Sequence, residues 1–255
     1  MASFAGCFDK VLGVEYEDCS FQVDEFSPAI TGWFGDTINA TVNGNPSRVF
    51  RDVEVTQADL RTGKEIVRMA IGHAFLRDFS VSDADASSAS LGSLRFVVVP
   101  ETLDLPPTGS THSGMTTPFE GAHFDFAVSG VDGKGVAAVR GIHMSAPKIV
   151  GGLIGSRRRF FPGAPQFDGI RLEAVSITLG GTTATTIKDL QTWMDNIAKG
   201  QFDLRTGDLH FLKPDLTTII ATVRFTDLLP TGFAPFTTRL DERAMDMTVG
   251  SILIQ

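Results

Sequence analysis

One tyrosine, two cysteines and no long apolar run set the first limits on this 255-residue chain. Without 18 consecutive apolar residues, no membrane-spanning helix is expected. Cys7 and Cys19 are too few for a disulfide framework, and a cytosolic site of synthesis is the default expectation. The first ten residues lack a basic segment followed by an apolar stretch, so no secretion signal is read there. The Asn39-Ala40-Thr41 sequon is then expected to stay idle. Basic excess is absent too. The formal net charge is −8, which argues against broad phosphate binding and makes any enclosed channel more acidic than basic.

Catalytic signatures are also missing. Serine-hydrolase chemistry needs a strained Gly-x-Ser-x-Gly turn, and none exists. His112-Ser113-Gly114 lies in a segment too loose to preorganise a nucleophile. There is no Gly-x-x-x-x-Gly-Lys loop and no strand–Gly-x-Gly-x-x-Gly–helix unit. Val150-Gly151-Gly152-Leu153-Ile154-Gly155 is glycine-rich, but no helix follows to offer its N-terminus to a phosphate. The five histidines, His73, His112, His123, His143 and His210, show no metal-type spacing. His123 and Asp125 share one strand face, and a metal site there needs a third ligand, His112 or His143. The simpler reading is a solvated polar face.

What is present is apolar and strand-like. Hydrophobic residues make up 42% and charged residues 20%, the composition of a packed globular chain. There are 20 phenylalanines, and arginine outnumbers lysine. Interfaces show that bias, and so does codon preference of a lineage.

Alternating or short apolar blocks between turn residues predict strands at Phe21–Phe26, Ile38–Val42 and Val49–Val55, with a turn at Asn43–Pro46. Glu65–Phe79 suits either a helix or a buried strand. Ser80–Ser93 reads as an exposed loop, and Leu94–Val99 as a strand ended by Pro100. Leu105–Gly114, with two prolines and two glycines, is the best linker. His123–Val128 alternates, and Asp132-Gly133 predicts a hairpin turn into Val136–Met144. Ile170–Leu179 changes phase near Ala174, which predicts a bulge.

The last quarter, Thr185–Ile254, reads as one helix and three strands. Ile187, Leu190, Met194 and Ile197 form a helical stripe beside Trp193. Thr186 suits a cap, Asp189 suits the positive end of the dipole, and Gly200 ends the helix. The strands are Asp208–Lys213, Ile219–Thr226 and Ala244–Ile254. Arg157-Arg158-Arg159-Phe160-Phe161 forms a basic, aromatic loop. Single-stranded nucleic acid would suit it by charge and stacking. On an acidic chain it better suits a protruding loop that meets a partner subunit, with the phenylalanines buried on assembly.

Asp189-Leu190-Gln191-Thr192-Trp193-Met194…Gly200, the strand Arg205–Lys213, Ala221–Pro230 with its terminal proline, and Glu242–Val249 resemble, in that order, the tail-tube family of contractile phage tails. That family includes the ring-forming Hcp proteins of type VI secretion. Phe124–Val128 and Ile170–Leu179 fit as earlier strands of the same barrel. The resemblance covers residues 120–255, and residues 1–110 and Arg157–Gly163 depart from the short single-domain pattern.

The resemblance implies a mainly β fold, an antiparallel β-barrel with one packed helix, here with an added N-terminal β-rich region. The division expected is 1–110, a possible second barrel or extension, and 111–255, the tube-like barrel. The implied function is structural, with no active site and no cofactor or metal. Copies would assemble into stacked rings, hexameric or pseudo-hexameric, making a hollow tube. Sheath, baseplate or tape-measure proteins would be partners, with nucleic acid or protein cargo passing through the lumen and no membrane contact. Inter-subunit contact is expected at Arg157, Arg158, Arg159, Phe160 and Phe161. The location would be a virion tail, or an injection particle assembled in the cytoplasm. The rival readings are a non-catalytic β-barrel or sandwich that binds a ligand or carbohydrate, and a metal-dependent enzyme using His112, His123, Asp125 or His143.

Overall fold

Period-two alternation of apolar residues dominates the chain, and its described residues form mainly antiparallel β structure with two helices. The structure, a computed structural model, describes residues 3–5, 18–42, 49–59, 61–110, 118–131, 135–146, 170–180, 184–235 and 243–255. The turn expected at Asn43–Pro46, the Asp132-Gly133 turn and the whole Arg157–Gly163 loop lie outside them.

Two sheets share the strands. The first joins β1 (Ser3–Ala5), β2 (Cys19–Val23), β6 (Leu94–Val99), β4 (Glu65–Val81), β10 (His143–Ser145) and β11 (Arg171–Leu172) in that order, with β3 (Arg51–Ala58) and β7 (Thr102–Asp104) also on β4. The second runs β5 (Ala84–Asp85), β9 (Val136–Arg140), β12 (Val175–Leu179), β15 (Arg243–Thr248), β14 (Ile219–Pro235), β13 (Arg205–Leu212) and β8 (Phe124–Val128), with β16 (Ser251–Ile254) also on β14. This second sheet is a nearly closed barrel, and β8 and β9 approach at its seam without pairing.

Long strands change partners midway. Glu65–Val81 is a strand of 17 residues, which settles the helix-or-strand ambiguity there. Its first half pairs with β3 and β7, its second half with β6 and β10. At the change, His73 takes a left-handed φ of 51° and its amide donates to Asp52 Oδ1 at 2.8 Å. In β14 the change falls at Asp227, φ 52°. Opposite it the predicted single strand Ala244–Ile254 is broken into β15 and β16. Gly250 sits there because a Cβ would come 2.7 Å from the Asp227 Cβ.

Further expectations are corrected here. The segments Val136–Met144 and Ile170–Leu179 are not single strands, and β8 and β9 are not a hairpin. Each segment bends, at Gly141 and at Glu173-Ala174, and passes from the barrel sheet into the other sheet. The two stay paired on both sides of the bend, Ser176 with Arg140 and Met144 with Leu172. The phase change near Ala174 therefore marks a crossover between sheets, not a bulge.

The expected strand at Ile38–Val42 is the end of a helix, α1 (Pro28–Val42). Ser27 opens it, its carbonyl accepting from the amides of Ile30 and Thr31 at 3.0 Å each, and Pro28 supplies a preset φ at the first position. Thr31, Trp33, Phe34, Thr37 and Ile38 are buried. The Trp33 indole N–H donates to the Val49 carbonyl at 2.7 Å. The second helix, α2 (Ala184–Ala198), starts two residues before Thr186. Thr186 is buried inside the first turn and not ahead of it. Gly200 ends the helix as expected, at φ 81°, with the Gln201 amide donating back to Asn196 O at 2.9 Å.

Phenylalanine fills the interior. Phe26, Phe119 and Phe211 pack as a triad with ring centroids 4.6, 4.9 and 5.3 Å apart. Cys19, fully buried in the same apolar cluster, is disulfide-bonded.

Candidate assembly surfaces

Rigid local structure holds exposed apolar side chains at both ends of the β13–β14 ladder. At one end, Trp193 of α2 is fully buried and its indole N–H donates to the Asp203 carbonyl at 2.8 Å. The Asp203 carboxylate accepts from Arg205 Nε at 2.9 Å and lies 2.8 Å from Arg205 Nη2. The Arg205 guanidinium lies over the Trp193 ring at 4.5 Å. Asp203 is therefore pinned through both backbone and side chain. Phe202 and Leu204, on either side of it, stand 72% and 54% exposed.

At the other end, Asp215 closes the hairpin turn. Its carboxylate accepts from the Thr217 and Thr218 amides at 2.9 and 2.8 Å and from the Thr218 hydroxyl at 2.5 Å. The Thr218 hydroxyl first, then those amides, hold its carboxyl well below the ordinary range, so it stays ionised. Leu216 sits in the turn at φ 56°, and Leu216 and Ile219 are 58% and 51% exposed.

A third feature is the β3–β4 arm. Its turn carries the same device, with Asp59 accepting from the Arg61 and Thr62 amides and the Thr62 hydroxyl at 3.0, 2.8 and 2.9 Å. The segment read as a flexible linker begins tied to this arm. The buried Glu65 carboxylate accepts the amides of Gly109 and Ser110, both at 3.0 Å, and pairs with Arg68 at 2.5 Å. Arg68 also donates to the Ser110 hydroxyl at 3.1 Å. Residues 111–117, including His112, lie outside the described residues.

The four described histidines are dispersed. His123 Nδ1 lies 3.4 Å from Glu120, an ion-pair distance without hydrogen-bond geometry. Asp125 is exposed on β8, opposite His210 of β13 in the ladder, and His210 meets the Thr222 hydroxyl at 2.9 Å. The exposed His73 ring stacks on Phe50 at 4.2 Å. His143 lies between two carboxylates, Nε2 at 3.0 Å from Asp78 and Nδ1 at 2.8 Å from Glu173. Both partners only accept, so the ring satisfies both as the doubly protonated imidazolium. Burial alone would lower its pKa, but Glu173 and Asp78 outweigh burial and raise it. Among the described residues no three His, Cys, Asp or Glu side chains converge on a metal position.

Sequence reasoning singled out Arg157–Phe161 and passed over Phe202, Leu204 and Leu216. The available signal was large apolar residues beside turn-forming aspartates.

No protein-family model matches the chain, and no curated protein matches it in sequence. Solved structures do resemble it. Hcp1 from Flavobacterium johnsoniae shares 16% identity, over 51% of this chain and 93% of its own, at a TM-score of 0.36. A chain of the PVC sheath/tube terminator, from an extracellular contractile injection system, shares 16% over 56% and 99%, at 0.41. The tube-terminating cap of the anti-feeding prophage shares 14% over 56% and 95%, at 0.38. No helix among the described residues is long and apolar enough to cross a membrane.

Proposed function

We propose that this protein is a structural subunit that self-assembles into stacked rings, forming the hollow tube of a phage tail or phage-like injection system. The observation that carries this reading is a barrel sheet that almost closes while, among the described residues, strands at the sheet margins keep a free edge. Among the described residues β8 is bonded only to β13, β3 only to β4, and β11 only to β10. A free edge offers a row of backbone donors and acceptors to a neighbouring chain. The resemblance of α2 and the strands after it to tube proteins supports the same reading.

The rings are hexameric or pseudo-hexameric, and the chain acts by assembly and not by catalysis. Sheath, baseplate or tape-measure proteins are its partners, and nucleic acid or protein is passing cargo. The particle is a virion tail or an injection device built in the cytoplasm. The added region is 1–110 and the tube-like barrel 111–255, with β5 reaching into the barrel sheet and β10 and β11 into the other. The Arg157–Phe161 loop meets another subunit.

Negative-stain electron microscopy across a concentration series tests this. Rings or rods of constant diameter are expected. Dispersed small particles at every concentration, with a nucleating partner supplied, overturn it and favour a monomeric ligand-binding barrel.

A further inference from the structure

Four exposed apolar side chains lie as two pairs at opposite ends of one β ladder. Phe202 and Leu204 precede the first residue of β13, and Leu216 and Ile219 follow its last. The strand between them has 8 residues, so the pairs lie roughly 26 Å apart at about 3.3 Å per residue. No single small partner covers both. The backbone beside each pair is held, through Trp193, Asp203 and Arg205 at one end and the Asp215 turn at the other, so little loop ordering remains to be lost on binding.

Charge matches the two ends. Beside Phe202 and Leu204, the close of α2 presents exposed Asp195 and Lys199. Beside Leu216, the tip presents exposed Lys213 and Asp215. One acid and one base at each end can pair crosswise, Asp195 with Lys213 and Lys199 with Asp215.

We propose that the tip of the β13–β14 hairpin in one copy seats Leu216 and Ile219 against Phe202 and Leu204 of the next copy, head to tail along the tube axis. The occupant of each patch is a second copy of this chain. Such a contact uses different surfaces on the two partners, so it propagates instead of closing on itself. One contact is small, but each ring repeats it once per protomer, and the repeats act together. This inference rests on the tube reading and specifies how rings stack.

Two double variants test it. The base variant carries Phe202→Asn and Leu204→Thr. The tip variant carries Leu216→Asn, which suits positive φ better than leucine does, and Ile219→Thr. Both should form rings and unfold no earlier than the wild type, while the protein concentration needed for stacking rises at least about tenfold. Mixed together they should give paired rings and no longer stacks, because each retains one intact end. Asp195→Lys should likewise impair stacking, and adding Lys213→Glu should restore it. Variants that stack like the wild type overturn the contact and leave the tube reading standing. Variants that fold but lose the ring place the patches within the ring and overturn the axial contact. A wild-type protein without rings overturns the tube reading. Sedimentation then tests the contact alone, and a monomer at all concentrations overturns that too.

Discussion

The carbonyl oxygen of Ala174 lies 2.4 Å from where a Cβ on Gly141 would stand. Gly141 also holds a φ of 82°. The two residues mark the bend at which a paired double strand leaves the barrel sheet and enters the other sheet. Any side chain at 141 meets a backbone atom that cannot swing aside, and the left-handed conformation adds roughly 1–2 kcal/mol for a residue with a Cβ. Gly141→Ala is therefore expected to lower stability by more than that dihedral cost alone. Chemical denaturation checks it, and an unchanged midpoint would show that the bend relaxes freely.

Beside this bend, His143 joins β10 to β4 through Asp78 and to the crossover through Glu173. Its folded pKa is raised above the ordinary 6.5. The folded state therefore binds the proton more tightly than the unfolded chain. The stabilisation is complete below about 6.5 and is lost as pH rises through the folded value. Unfolding midpoints should fall across that alkaline limb in the wild type, and His143→Gln should flatten the limb. A limb of equal slope in the variant would assign it to another group.

Glu65 makes a different kind of prediction. Its carboxylate takes two amides of the 105–110 segment and the Arg68 guanidinium. Both amides share Oε2 and Arg68 takes Oε1, so Glu65→Gln keeps the shape but loses the charge, and its new NH2 group faces either Arg68 or both amides. Limited proteolysis should cut the segment near Gly109 faster in the variant than in the wild type, with a modest fall in Tm. Equal cleavage rates would mean that the Ser110 contacts alone hold the segment.

Legibility in the sequence followed packing. Helix α2 was readable because an apolar stripe runs along a polar helix. Helix α1 was not, because Gly32, Gly35, Thr37 and Ile38 are poor helix formers and burial against β16 overrides them. Gly35 brings the backbone close to that strand, with Leu253 Cδ1 at 3.2 Å from a would-be Cβ. The missed signal was Ser27-Pro28 ahead of Ile30, Phe34 and Ile38. The pentapeptide Asp-Leu-Arg-Thr-Gly makes the limit plain, since it occurs at 59–63 and at 203–207. In the first copy Asp59 bonds to Thr62 to close a hairpin, with Gly63 at φ 68°. In the second, Asp203 bonds to Arg205, and Gly207 is buried in β13 opposite Val128 and Phe225. Local sequence cannot separate the two, because Trp193 and β8 decide the second. The crossover at Gly141 and Ala174 was equally hidden, since pairing continues through it and only the sheet changes.

Trp193 offers the sharpest separation of fold from assembly. Its ring fills the space between α2 and the barrel, while its N–H fixes the Asp203 carbonyl at 2.8 Å. Trp193→Phe keeps most of the apolar burial and removes the hydrogen bond, a net cost of about 1 kcal/mol. It also weakens the platform under Arg205, since a phenyl ring attracts a cation less than an indole does. Trp193→Ala loses the packing as well and should cost about 3–5 kcal/mol. Denaturation should rank wild type above Trp193→Phe, and that variant well above Trp193→Ala. The Phe variant stays folded, yet Phe202 and Leu204 lose part of their anchor, so its rings should stack at a higher protein concentration than wild-type rings. Stacking that weakens only in proportion to stability would assign Trp193 to the core alone.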